Sequence, residues 1–283
     1  KYVHPSIVSG LIDNPDDLAL EGRHQVQTLM FSDVAGFVGI SGQLDAEQTV
    51  ALLNEYLGEM TAEITKADGI LDKYLGDGIM AFFGPPFTPG NHALAACRAA
   101  LKMDQRLAQL RDVWCEQGLP PINARIGLAT GEVIVGNIGS EQTRDYTCIG
   151  ETVNLASRLE GVNKYYKTSI IIDAGTRDLL GKNVAVRELD IIKVLGSDDP
   201  VRIFEVQALA DDQTALQKDL AEKFASALVE YRAGRFIEAE AVFKELVSAP
   251  YDDAVSSIFL KRCMMYDMSA PKKWDGVFVM DKK

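Results

Sequence analysis

Over residues 71–84 the chain reads LDKYLGDGIMAFFG, two short apolar segments joined by Gly76, Asp77 and Gly78. Glycine supplies the positive φ that a tight hairpin needs, so the stretch predicts strand, turn and strand, with Asp77 lifted to the tip. Around this hairpin the hydrophobic period switches repeatedly. Residues 26–31 form a short apolar strand ending at Ser32 and Asp33. A glycine-containing turn then leads into a helical pattern through Val50, Leu53, Leu57, Met60 and Ile64. A second amphipathic helix fits residues 91–116, and INARIGLATGEVIVGNIG reads as two strands joined at residues 130–132. ETVNLASRLEGVNKY is a third helix, with Val153, Leu155, Ala156 and Leu159 on its apolar face. Strands over 169–172, 185–194 and 201–207 follow, with a short helix near 174–180. Helices interleaved with hairpins predict an α+β fold with a mainly antiparallel sheet rather than a parallel doubly wound one.

The two ends differ from this middle. Residues 1–25 open with a short helix candidate, Pro5 at its start and Ile7, Val8, Leu11 and Ile12 on one face, and run into an acidic linker. After residue 210 the pattern is all helical. Phe224, Leu228 and Tyr231 share one helix, Gly234 breaks it, and Phe236, Ala239 and Phe243 share a second, a spacing similar to one tetratricopeptide-type helix pair. One such pair cannot bury a core alone, so it is expected to pack on the preceding domain or on a partner.

Of 283 residues, 41 are acidic and 29 are Lys or Arg, a net charge of -12, which argues against nucleic acid or an anionic membrane as the main partner. No apolar run approaches the about 20 residues that span a bilayer. The four cysteines, Cys97, Cys115, Cys148 and Cys263, lack metal-site spacing and favour a reducing, cytosolic setting. With Lys1 first and no signal-peptide pattern, the chain reads as a fragment of a longer protein.

FSDVAGF and KYLGDG each put an aspartate beside glycine at a strand end or hairpin tip, where short carboxylates can converge on hard, oxygen-liking cations. Backbone N–H groups of Ala35, Gly36, Phe37 and Val38, at a turn entering a helix, can cradle phosphate. Either motif alone is more often an ordinary turn. Together with ARIGLATGEVIVGNIG and YTCIGETVNLASRLE, in this order and at these gaps, they resemble the class III nucleotide cyclases, and adenylyl cyclases in particular, over about residues 20–207.

That resemblance implies a ferredoxin-like (βαββαβ-type) catalytic domain at 26–209. It also implies a linker at 1–25 to an upstream region, often a membrane sensor; the all-helical pattern after residue 210 makes 210–283 a helical extension beyond the resemblance. Asp33 and Asp77 match the aspartates that bind two divalent ions, Mg2+ or Mn2+, with the Val34 carbonyl as a further ligand. Arg125 matches an arginine that grips the triphosphate, and Asn154 and Arg158 match the pair that positions the ribose and stabilises the reacting phosphoryl group. Asn154 and Arg158, four apart, project from one helix face.

Lys73 and Thr147 stand at the base-selecting positions. An ammonium donates to adenine N1 but not to the protonated N1 of guanine, and a hydroxyl accepts from the adenine amino group, so ATP is the expected substrate. Guanylyl cyclases of the family carry Glu and Cys there, and Cys148 is one position out of register. Threonine at this place resembles the subclass whose members often respond to bicarbonate. The family assembles its site between two head-to-tail catalytic domains, and since this chain holds both half-sets, the resemblance implies a homodimer, cytoplasmic or on the cytoplasmic side of an anchored protein. In two places the chain departs from the pattern. Leu195 and Ser197 occupy the places of the usual lysines near the terminal phosphates, implying weaker ATP binding, and Glu151 replaces an Asp. The alternatives are a guanylyl cyclase and a catalytically weak regulatory module.

Overall fold

In the computed structural model, which describes residues 22–140, 143–194, 199–269 and 273–280, a nine-stranded sheet carries every other element. The helix predicted near the N-terminus, and positions 195 and 197, lie outside the described residues. The strands are β1 (Arg23–Val34), β2 (Ile70–Leu75), β3 (Gly78–Phe83), β4 (Ala124–Gly139), β5 (Arg144–Ile149), β6 (Ile170–Asp173), β7 (Val184–Lys193), β8 (Val201–Leu209) and β9 (Phe278–Val279). Their spatial order is β2-β3-β1-β4-β6-β8-β7-β9, with β5 paired to β4.

Side chains alternate faces along a strand, and β3 is buried at every residue, so both of its faces must be covered. Met80 and Phe82 join one core, while Ile79, Ala81 and Phe83 join the other. The second core is closed by α2 (Ala46–Lys66) and α3 (His92–Glu116). Asp45 and Gln48 cap α2 reciprocally, and its Leu52, Tyr56, Met60 and Ile64 face inward. The first core is closed by α4 (Glu151–Tyr166), through Ala156, Leu159, Val162 and Tyr166. Two short helices complete this part, α1 (Phe37–Ser41) and α5 (Ala174–Leu180).

The C-terminal segment extends the first core. Among the described residues it comprises three α-helices rather than the expected pair: α6 (Ala215–Arg232), α7 (Phe236–Leu246) and α8 (Ala254–Met268). Phe224, Tyr231, Phe243 and Phe259 are buried together in the core that also contains Tyr166, Leu189 and Ile192. Each such side chain stabilises by about 1.5–3 kcal/mol. Polar staples fix the register. Arg262 of α8 reaches Asp190 of β7 at 2.6 Å, and the Tyr166 hydroxyl donates to the same carboxylate oxygen at 2.6 Å. Arg187 pairs with Asp253 at 2.9 Å, and Arg232 with Glu188 at 2.8 Å.

The sheet is mixed, not mainly antiparallel: β4 pairs parallel with β6, and β7 parallel with β9. The first pairing follows from α4, a helical crossover that returns the chain to run alongside β4 in the same direction. Residues 124–139 form one strand, not two joined at 130–132; Gly131 pairs across to Gln27. Its glycine serves close packing rather than a turn, since a Cβ there would meet the Thr152 hydroxyl of α4 at 2.6 Å.

Candidate active site

β1 and β4 are antiparallel in a register that sets Asp33 opposite Arg125. The guanidinium donates to an Asp33 carboxylate oxygen at 2.8 Å and lies 2.9 Å from Glu160 of α4. The β2–β3 turn delivers Asp77 to the same place. Gly78 makes this approach possible, because a Cβ there would lie 3.0 Å from the Ser32 carbonyl and 3.5 Å from the Asp33 carboxylate. Burial raises the Asp77 carboxyl above its ordinary range, and the neighbouring Asp33 charge and hydrogen bond raise it further, against the pull of Arg125. The two acidic side chains therefore converge.

Glu160 joins the cluster through Arg125 although no motif marks it. Burial, partly offset by Arg125 and reinforced by the charges of Asp33 and Asp77, pushes its carboxyl up to about 7. Its signal in the sequence was only its phase, two residues beyond Arg158 and so on the opposite side of the helix.

At the following turn the Ala35 N–H donates to the Asn123 carbonyl, which removes it from phosphate binding. Gly36 adopts φ 74° and its carbonyl accepts from Gly39 and Ile40. The N–H groups of Gly36, Phe37 and Val38 have no backbone acceptor among the described residues. Phe37 is half-buried, whereas Gly36 and Val38 are exposed.

Lys73 and Thr147 come together through β5, whose hairpin with β4 brings Thr147 to β2. The Thr147 hydroxyl donates to Asp72 at 2.5 Å. Lys73 lies 3.1 Å from Asp145 and 3.4 Å from Asp72. Burial works against the ammonium, but Asp145 and Asp72 outweigh it and raise the Lys73 pKa. Burial lifts the Asp72 carboxyl in turn, opposed by Thr147 and Lys73.

Helix α4 approaches β4 at Gly127, where a Cβ would meet the Glu160 nitrogen at 2.2 Å and the Ala156 carbonyl at 2.3 Å. Ala156, Glu160 and Asn163 line this contact, and the Asn163 amide donates to the Ile126 carbonyl at 2.9 Å. At about 100° per residue, Asn154 and Arg158 fall on the opposite side of the helix. Asn154 is exposed and Arg158 half-buried. By that phase they leave the helix on the side away from Glu160 and its contact with β4.

The donor set suits a hard divalent cation: two carboxylates held together against their mutual repulsion, with the Val34 carbonyl next along the chain from Asp33. Among the described residues there is no group of three or more His, Cys, Asp or Glu that could hold a metal. A cation here would draw its other ligands from backbone oxygen, water and substrate phosphates, the habit of magnesium rather than of zinc. A groove of about 980 Å3 bordered by Lys66, Arg98 and Lys102 contains none of these residues.

Residues 20–207 match the model of the adenylate and guanylate cyclase catalytic domain, and the chain belongs to that family. It is an adenylyl cyclase-like catalytic domain. The crystal structure of the adenylyl cyclase CyaB from P. aeruginosa is similar at 38% identity and TM-score 0.64, covering 69% of this chain and 100% of that one. A guanylyl cyclase structure is similar at 34% identity and TM-score 0.61, covering 69% and 98%. Adenylate cyclase 1 of Rhizobium meliloti is 35% identical over 182 residues, 64% of this chain but 27% of that relative, so the chain spans about a quarter of its length.

Proposed function

We propose that this chain converts ATP to 3',5'-cyclic AMP and pyrophosphate at sites completed by a second copy of itself. The observation that carries the reading is the Asp33–Arg125 pair at 2.8 Å with the Asp77 turn packed against it, a Cβ on Gly78 lying 3.5 Å from the Asp33 carboxylate. Asp33, Asp77 and the Val34 carbonyl would hold two divalent ions, Mg2+ or Mn2+. When bound, such ions supply Lewis-acid activation of the ribose 3'-hydroxyl and neutralise charge on the leaving pyrophosphate. Arg125 exchanges part of its pairing with Asp33 and Glu160 for triphosphate oxygens, with the N–H groups of Gly36, Phe37 and Val38 close by. Asn154 orients the ribose, and Arg158 offsets charge on the phosphoryl oxygens, a contribution of roughly 3 kcal/mol for a preorganised donor. Lys73 donates to adenine N1 and Thr147 accepts from the amino group.

The outward projection of Asn154 and Arg158 supports a shared site, since one chain's helix face is then available to its partner's acidic pair. In a closed two-fold pair the two sites are equivalent. Asp33→Asn and Arg158→Ala should each abolish cyclic AMP formation, and mixing the two folded variants should restore part of it by leaving one intact site per mixed dimer. A dead mixture would refute the shared site.

The similarity to a guanylyl cyclase favours one second reading, GTP as substrate. Product analysis with ATP and GTP, each with magnesium and manganese, separates them and also exposes a domain that binds without turnover. Bicarbonate titrated at fixed pH tests the threonine subclass, for which an unchanged rate is the negative result. No described helix is long and apolar enough to cross a membrane. We place the domain in the cytoplasm, free or as the cytoplasmic portion of an anchored protein.

A further inference from the structure

The Thr147 hydroxyl faces a choice that decides what it can recognise. It carries one proton and two lone pairs, so alone it can serve either an amino group or a carbonyl. In this chain the proton is already committed: Thr147 Oγ donates to Asp72 at 2.5 Å. An ionised carboxylate only accepts, so Asp72 cannot return a proton that would free the hydroxyl to donate elsewhere. The Asp72 side chain is 1% exposed and Thr147 is 8% exposed, so little water competes for either group. Burial raises the Asp72 carboxyl above its ordinary range, while the Thr147 hydroxyl and the Lys73 ammonium, 3.4 Å from the other Asp72 oxygen, pull towards the charged, acceptor-only form.

We propose that Asp72 is a specificity-determining positioning residue, which fixes the Thr147 hydroxyl as an acceptor and thereby selects the adenine amino group over the guanine carbonyl. This rests on the reading of Thr147 as a base-selecting residue and adds the group that sets its polarity. Adenine presents a donor at that edge and guanine an acceptor. With the proton held by Asp72, the guanine oxygen meets a lone pair, while the adenine amino group meets a partner. Asp72 touches no nucleotide itself and acts through Thr147.

The test is the ratio of kcat/KM for ATP to that for GTP, measured on the full chain with manganese. Binding of 3'-deoxy-ATP and 3'-deoxy-GTP, which lack the attacking hydroxyl, gives a parallel ratio that needs no turnover. Asp72→Asn, with Asp72→Ser as a second variant, replaces an acceptor-only group by one that can also donate, so the Thr147 proton is no longer held, and should lower both ratios by about tenfold, the scale of one hydrogen bond gained or lost. Thr147→Val should lower them similarly, and adding Asp72→Asn to Thr147→Val should change them no further. The proposal is overturned if the Asp72 variants weaken both nucleotides by one common factor, the result of a merely structural role. It is equally overturned if the Asp72 effect persists undiminished in Thr147→Val, the result of action through Lys73. A wild type that forms no cyclic nucleotide but shows the shift in binding ratio would sink the cyclase reading and leave this one standing.

Discussion

At the scale of single residues, the acidic pair was legible because each aspartate has glycine neighbours that only a turn or a close approach explains. Glu160 and Asp72 were not legible. A glutamate in a helix and an aspartate before a lysine read as solvated charges, and what buries them is the β4–β5 ribbon and the seating of α4, contacts distant in sequence. Gly131 misled because a Thr-Gly-Glu run looks like a turn, while its glycine answers to a neighbouring helix. Gly127 makes the sharper case. Its missing side chain lets α4 touch β4, so Gly127→Ala should force helix from sheet and destabilise by about 1–3 kcal/mol or more, the usual scale of overpacking. Thermal melts of the variant check this, and an unchanged Tm would mean that the helix relaxes at no cost.

Among the elements, helices α2, α3 and α4 followed their periodicity, because each has a wide apolar face and a defined start. The parallel pairing of β6 with β4 did not, since strand direction is set by the connection and leaves no mark on a strand's composition. β9 was likewise unreadable: two residues gain a strand identity only by lying against β7. Where α6 meets β7 and β8, Glu188 pairs with Arg202 and Arg232. Burial raises its carboxyl, but the two guanidinium groups more than offset that and hold it below the ordinary glutamate value. Because the folded value lies below the unfolded one, the stabilisation is complete above about pH 4.5 and is lost as pH falls through the folded value. Melting wild type and Glu188→Gln between about pH 7 and pH 3 should show the larger acid-induced fall in the wild type. Parallel curves would remove Glu188 from the acid limb.

For the whole molecule, the helical extension closes the same core that seats α4, so it is not a detachable appendage. Removing residues 211–283 would uncover Tyr166, Leu189 and Ile192 and leave Asp190, 0% exposed, without Arg262. Losing one partner of such a buried pair costs about 3–5 kcal/mol. The truncated chain should therefore aggregate or melt well below the full one by size-exclusion chromatography and thermal denaturation. A soluble, equally stable remainder would show the extension to be an ornament of the fold.

The unbroken course of β4 carries its own consequence. Arg125 stands at one end, beside the acidic pair, and Gly136, far along the same strand, backs Thr147, a contour of about 36 Å at the usual rise. In a head-to-tail pair each such strand would serve the phosphate end of one nucleotide and the purine end of the other. Two occupants would then pull on the same pair of struts, so that filling the first seat sets the strain the second must meet.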